Sequence, residues 1–171
     1  VVINRRLRDI RHVALDMDGT IYSGGTLFAS TLPFLALLGE LGIRHTFLTN
    51  NSSKSTKDYL AQLHQIGIAA TPDQLYTSTQ ATIEYLREHK PEVRRLFVLG
   101  TASMRREMEG AGFVLTADSA SDEPDAVLAG FDTALNYARL CRTAWWVAQG
   151  KPFIATHPDR VCPTDEPTVL V

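Results

Sequence analysis

Short apolar runs and amphipathic stretches alternate along nearly all of the 171 residues, and that rhythm restricts the fold sharply. Val13–Asp16, Ile43–Thr49, Arg95–Gly100 (RLFVLG), Ala126–Gly130 (AVLAG) and Pro152–Thr156 (PFIAT) read as strands, the first as a fully buried one. Between them the spacing predicts helices. One begins at Ser30 or Thr31 with Pro33 in its first turn, lines up Phe34, Leu37, Leu38 and Leu41 on one face, and stops at Gly42. Another runs over Ser55–Ile66, amphipathic through Tyr59, Leu60, Leu63 and Ile66 and closed by Gly67. Ser78–His89, Ser103–Glu109 and a long stretch from Thr133 to Gln149 complete the set, with Thr116–Pro124 as a loop. Strands alternating with helices predict α/β layers with mainly parallel strands. Pro167–Val171 reads as one more strand that has only begun.

The charge balance narrows the function classes. A net charge of −2 gives no general attraction for nucleic acid or an anionic membrane surface, so neither is expected as a partner. No apolar run reaches the ~18–20 residues of a membrane span. The opening VVINRRLRDIR has basic residues but no apolar stretch after them, so no signal peptide is expected. Cys141 and Cys162 are the only cysteines, too few for a disulfide scaffold or a multi-cysteine zinc site. That count suits a reducing, cytoplasmic setting.

The chemistry concentrates in VALDMDGTIYSGG, Val13–Gly25. Asp16 and Asp18 alternate along extended backbone with Met17 between them, so both carboxylates can flank one small volume. Two unit charges about 4 Å apart repel by roughly 4 kcal/mol at an effective dielectric of ~20, and a phosphate dianion adds to that repulsion. A divalent cation relieves it. Mg²⁺ is the natural choice, because it takes hard oxygen ligands and keeps substrate phosphate in its shell. One carboxylate can then attack phosphorus, while the other serves as general acid and later as base. Gly19, Gly24 and Gly25 let backbone N–H groups come close to phosphoryl oxygens. Thr49 and Asn50, closing the next strand, can hold the transferring group from across a shared crevice.

DMDGT followed by FLTNN closely resembles the haloacid dehalogenase-like hydrolase superfamily, in its NagD and p-nitrophenylphosphatase-like branch. PDAVLAGFDTALNYARL and PFIATHPDRVCP resemble the α/β cap of that branch, so the likeness runs from about Arg11 onward. The resemblance implies a Rossmann-like parallel-sheet core of three αβα layers with an inserted α/β cap domain. Residues 1–75 would form the N-terminal part of the core, and 76–171 the cap and the start of the return to the core. Asp16 would be the nucleophile and a Mg²⁺ ligand, and Asp18 the general acid/base with its backbone carbonyl on the metal. Thr49 and Asn50 would bind the phosphoryl group, with Gly19 and Asp18 beside it. The implied reaction is hydrolysis of a small phosphate monoester of the sugar phosphate, nucleotide or phosphoglycolate type.

Departures from the pattern are equally specific. The family's lysine and its further acidic metal-binding motif follow the cap. Lys151 is misplaced for that lysine, and Asp165 and Glu166 are poor substitutes for the motif. Both features are expected in a C-terminal part of the core that this sequence lacks. Two other readings stay open: a catalytically incomplete phosphate-binding or regulatory module, and a phosphotransferase or mutase on the same scaffold.

In the cap, His157 and Asp159 stand at a strand end and are candidate substrate contacts, although His157 reads first as a solvated loop histidine. Asn51–Ser53 read as a loop and helix cap. Trp145 and Trp146 cannot face one way on a helix, so one is expected to pack and the other to meet a partner. An exposed cap sheet would suit a homodimer.

Overall fold

The computed structural model describes residues 9–159, 161–162 and 169–170. Asp165 and Glu166 lie outside the described residues. In chain order the elements are β1 (His12–Asp16), β2 (Tyr22–Ser23), β3 (Thr26–Leu27), α1 (Thr31–Glu40), β4 (Arg44–Thr49), α2 (Thr56–Gln65), β5 (Leu75–Thr77) and α3 (Ser78–His89). There follow β6 (Arg95–Leu99), α4 (Ala102–Gly110), β7 (Val114–Leu115), β8 (Ala126–Ala129), α5 (Tyr137–Ala148), β9 (Phe153–Ala155), β10 (Val161–Cys162) and β11 (Val169–Leu170). The last two pair antiparallel, so the strand expected at the end of the chain is present at Val169–Leu170. The chain divides into two compact units, one running up to Thr49 and including Leu60–Tyr76, the other comprising Asn50–Tyr59 and everything from Thr77 on.

The first unit is built on a three-stranded sheet in the order β1-β4-β5, with β1 and β4 parallel and Asp16 opposite Leu48. Met17, Ile21, Phe47, Leu63 and Ile68 are among its buried apolar side chains. β2 and β3 form an antiparallel hairpin turning at Gly24-Gly25. Thr31 Oγ1 donates to the Ile21 carbonyl at 2.7 Å and ties the start of α1 to the segment after β1.

Two expectations for this unit need correction. β1 is not fully buried: Leu15 is, whereas His12, Ala14 and Asp16 are exposed, because β1 is an edge strand among the described residues. On α1 only Leu38 of the predicted apolar face is buried. Phe34, Leu37 and Leu41 are between 40% and 62% exposed, since a sheet of three strands offers the helix too little surface to cover them.

The second unit carries a four-stranded parallel sheet in the order β7-β6-β8-β9. Its strands alternate between two covered faces. Leu96, Val98, Ala126 and Leu128 pack with Ile83 and Leu86 of α3 and Met104 and Met108 of α4. Phe97 and Val127 point the other way, onto Trp146 of α5. Burial on both faces explains why LFVL and AVLA read as unbroken apolar runs. A fully buried side chain such as Leu96 or Leu128 contributes about 1.5–3 kcal/mol.

Helix starts in this unit follow capping chemistry. Thr77 Oγ1 accepts from the Gln80 N–H at 3.1 Å while the Gln80 side chain takes the Thr77 N–H at 2.8 Å, a reciprocal box that fixes α3 where the sequence predicts it. Thr101 caps α4 through the Met104 N–H. The long helix begins later than expected, at Tyr137 instead of Thr133. Asp132 Oδ1 accepts from the Ala134 N–H in a turn, and Asn136 supplies the true cap to Arg139. Trp146 packs, and Trp145 meets it edge-on at 4.4 Å under the Arg142 guanidinium.

Candidate active site

At the carboxyl end of β1 the alternation expected from sequence holds. Met17 is fully buried, while Asp16 and Asp18 on either side are exposed. A tight turn follows: the Ile21 N–H donates to the Met17 carbonyl at 3.0 Å, and the Gly19 N–H to the Tyr22 carbonyl at 2.8 Å. The Gly19 N–H is thus used within the turn. What Gly19 supplies is a φ of 78°, a backbone conformation that costs a side-chain-bearing residue ~1 kcal/mol or more. Any other residue would make the turn immediately behind Asp18 at that cost.

β4 ends in register with β1. Asp16 pairs across from Leu48, so Thr49 extends one residue beyond it at the same end of the sheet. Thr49 is buried. The carboxyl ends of neighbouring parallel strands are where such sheets place ligands, and here they present two carboxylates and a threonine. Among the described residues no cluster of three or more His, Cys, Asp or Glu side chains is arranged to hold a metal. The pair Asp16 and Asp18 still suits Mg²⁺, which is commonly bound by one or two carboxylates with water and substrate phosphate completing its shell.

Asn50, His157 and Asp159 come together in the second unit. The Asn50 side-chain amide donates to the Asp159 carboxylate, and His157 Nδ1 lies 4.0 Å from the same carboxylate. The solvated histidine of the sequence reading is corrected, because the His157 side chain is only 10% exposed. It lies two residues beyond the end of β9. Lys151 is engaged by Glu123.

Sequence reasoning missed the residues that hold the segment after Thr49. Ser52 is fully buried, and its Oγ accepts the Phe131 N–H at 2.8 Å. The only available signal was a run of small polar residues, NNSSKS, which reads equally well as a loop.

A family model described as haloacid dehalogenase-like hydrolase matches residues 13–114. The chain is 30% identical over 159 residues to an acid sugar phosphatase of Staphylococcus aureus, covering 93% of this chain and 60% of that protein. The 4-nitrophenylphosphatase of Thermotoga maritima superposes with a TM-score of 0.89 at 36% identity, over 98% of this chain and 62% of that one. NagD of Escherichia coli gives 0.78 at 28% identity, over 93% and 61%. The chain therefore spans about 60% of the length of the relatives it matches. Its parallel strands, the paired aspartates and this match together make it a member of the haloacid dehalogenase-like hydrolase family, in the NagD and nitrophenylphosphatase-like branch.

Proposed function

We propose that the chain belongs to a Mg²⁺-dependent phosphatase that hydrolyses a small phosphate monoester of the sugar phosphate, nucleotide or phosphoglycolate type. The observation that carries this is the exposure of Asp16 and Asp18 on either side of buried Met17, with Thr49 ending the neighbouring strand. Phosphatase names among the relatives support the reaction class.

An Asp16 carboxylate oxygen attacks phosphorus and forms an acyl phosphate, while the ester oxygen departs with a proton from Asp18. Asp18, now ionised, takes a proton from water, which attacks the same phosphorus. Inorganic phosphate leaves, and Asp16 is regenerated. Thr49 and Asn50 hold the phosphoryl oxygens during both displacements. Mg²⁺, held by the Asp16 carboxylate and the Asp18 backbone carbonyl, would supply the positive charge that lets two carboxylates and a phosphate share one site. In this reading the charge-offsetting lysine and the further acidic motif belong to the part of the relatives' length that this chain does not span. In the same reading residues 1–75 contribute to the core, residues 76–171 form the cap and the start of the return to the core with His157 and Asp159 as substrate contacts, and the protein is a cytoplasmic homodimer.

The test is phosphate release by the full-length protein from a panel of monoesters, with Mg²⁺ and with EDTA. Release that requires Mg²⁺ is expected. Transfer of the phosphoryl group to a second sugar would make it a phosphotransferase. Binding of orthophosphate without any turnover would make it a binding module.

A further inference from the structure

The space beyond the carboxyl ends of a parallel sheet is where a ligand ordinarily sits. In the second unit the chain fills that space with its own segment, Asn50–Ser53. Residues just past the ends of three adjacent strands grip it. After β6, Thr101 Oγ1 donates to the Ser53 carbonyl at 2.8 Å. After β8, the Phe131 N–H donates to Ser52 Oγ at 2.8 Å. After β9, Thr156 Oγ1 lies 3.0 Å from Ser52 Oγ. Two more hydroxyls take the preceding carbonyls: Ser78 Oγ donates to Asn50 at 2.9 Å and Tyr59 OH to Asn51 at 2.7 Å.

Gly130 shows how close this seating is. A Cβ there would stand 2.7 Å from Ser52 Oγ and 2.5 Å from Met104 Sδ, so the approach of the β8 end to Ser52 requires glycine. Ser52 itself has no exposed surface, and its one hydroxyl serves two strand ends. A serine read as a plain loop residue is thus the point where β8 and β9 are both fastened to this segment.

Asn50 is the residue that this seat orients. Its amide nitrogen carries two N–H groups, and one is spent on the Asp159 carboxylate. With the Asn50 carbonyl fixed by Ser78, the residue is held at both its backbone and its side chain, and the second N–H has a defined direction.

We propose that Ser52 is a positioning residue: by fastening Asn50–Ser53 to the carboxyl ends of β6, β8 and β9, it sets the direction in which Asn50 presents its donors to the phosphoryl group. What Asn50 does there rests on the phosphatase reading; how Asn50 is held does not.

The experiment uses the full-length protein with Ser52→Ala, Thr156→Val and Thr156→Ser, the last keeping the hydroxyl. Two readouts are taken: amide hydrogen exchange at Asn51–Ser53, and kcat, KM and orthophosphate inhibition with 4-nitrophenyl phosphate. Ser52→Ala and Thr156→Val are expected to speed exchange of that segment by about tenfold or more while α5 stays protected. They should also lower kcat/KM by about tenfold or more and weaken orthophosphate inhibition, with Thr156→Ser close to wild type in both. A lower melting temperature with unchanged kcat and orthophosphate inhibition in the folded protein would overturn the proposal as a merely structural effect. Should the wild type hydrolyse no ester, the phosphatase reading fails, and the exchange data alone judge the seat: unchanged protection in both variants overturns it. If Ser52→Ala does not fold, the Thr156 pair decides.

Discussion

Asp16 and Thr49 end adjacent parallel strands one residue out of step, because Asp16 stands opposite Leu48 in the pairing of β1 and β4. Thr49 is buried, and the proposed phosphatase reading assigns its hydroxyl as a donor to the phosphoryl oxygens. Replacing Thr49 by Val preserves shape and removes the hydroxyl. Steady-state kinetics of the full-length Thr49→Val protein should show kcat/KM reduced by about 10²–10³, and Thr49→Ser should recover most of it.

The second unit contains a buried ion pair that can be broken from one side. Arg139 Nη1 lies 3.0 Å from Asp132 Oδ2, whose side chain is 2% exposed, and Arg139 Nη2 also donates to the Val98 carbonyl at 2.5 Å. Arg139→Met leaves a carboxylate buried without its cation, which costs about 3–5 kcal/mol. Arg142, paired with Asp118 at 3.4 Å nearer the surface, serves as the control, and Arg142→Met should cost less than about 1 kcal/mol. Urea titrations of the two variants measure the difference.

Acid sensitivity has a named contributor in Asp125. Burial pushes its carboxyl up, but the Arg94 and Arg95 N–H groups donating to it, with Arg95 and Lys151 nearby, outweigh burial and hold it below the usual aspartate value. A carboxylate whose pKa is lowered by folding adds stability that is fully present above the unfolded value, about 3.9. That stability is lost as pH falls through the lower folded value. Asp125→Asn should therefore lower stability near neutral pH by about 1–2 kcal/mol and flatten the acid limb. Denaturation midpoints measured from neutral pH down to strong acid check both effects.

Local chemistry was legible in the sequence wherever a few neighbouring residues decide the outcome. The Thr77–Gln80 box fixes α3, and the apolar LFVL and AVLA runs correspond to strands covered on both sides. The Asp16–Met17–Asp18 alternation likewise needs only extended backbone. Errors arose where a distant part of the chain determines the result. Whether Phe34 and Leu37 are covered depends on how wide the sheet beneath α1 is, which periodicity on the helix cannot report. Asp132 and Asn136 are both good caps, and only the packed structure chooses between them. The two-residue β7 is too short to show any alternation. Ser52 owes its role to Phe131 and Thr156, far along the chain, so nothing around it in sequence reveals that role.

The most direct measurement is an acid quench of the full-length protein during turnover of a phosphate monoester, followed by peptide mapping of wild type and Asp16→Asn. A phosphoryl group on the peptide bearing Asp16 in the wild type is predicted, and none in Asp16→Asn, whose turnover should fall by at least ~10⁴ with its melting temperature preserved. Wild-type turnover by Asp16→Asn, or a phosphoryl group trapped on a different residue, would contradict the assignment of Asp16 as nucleophile.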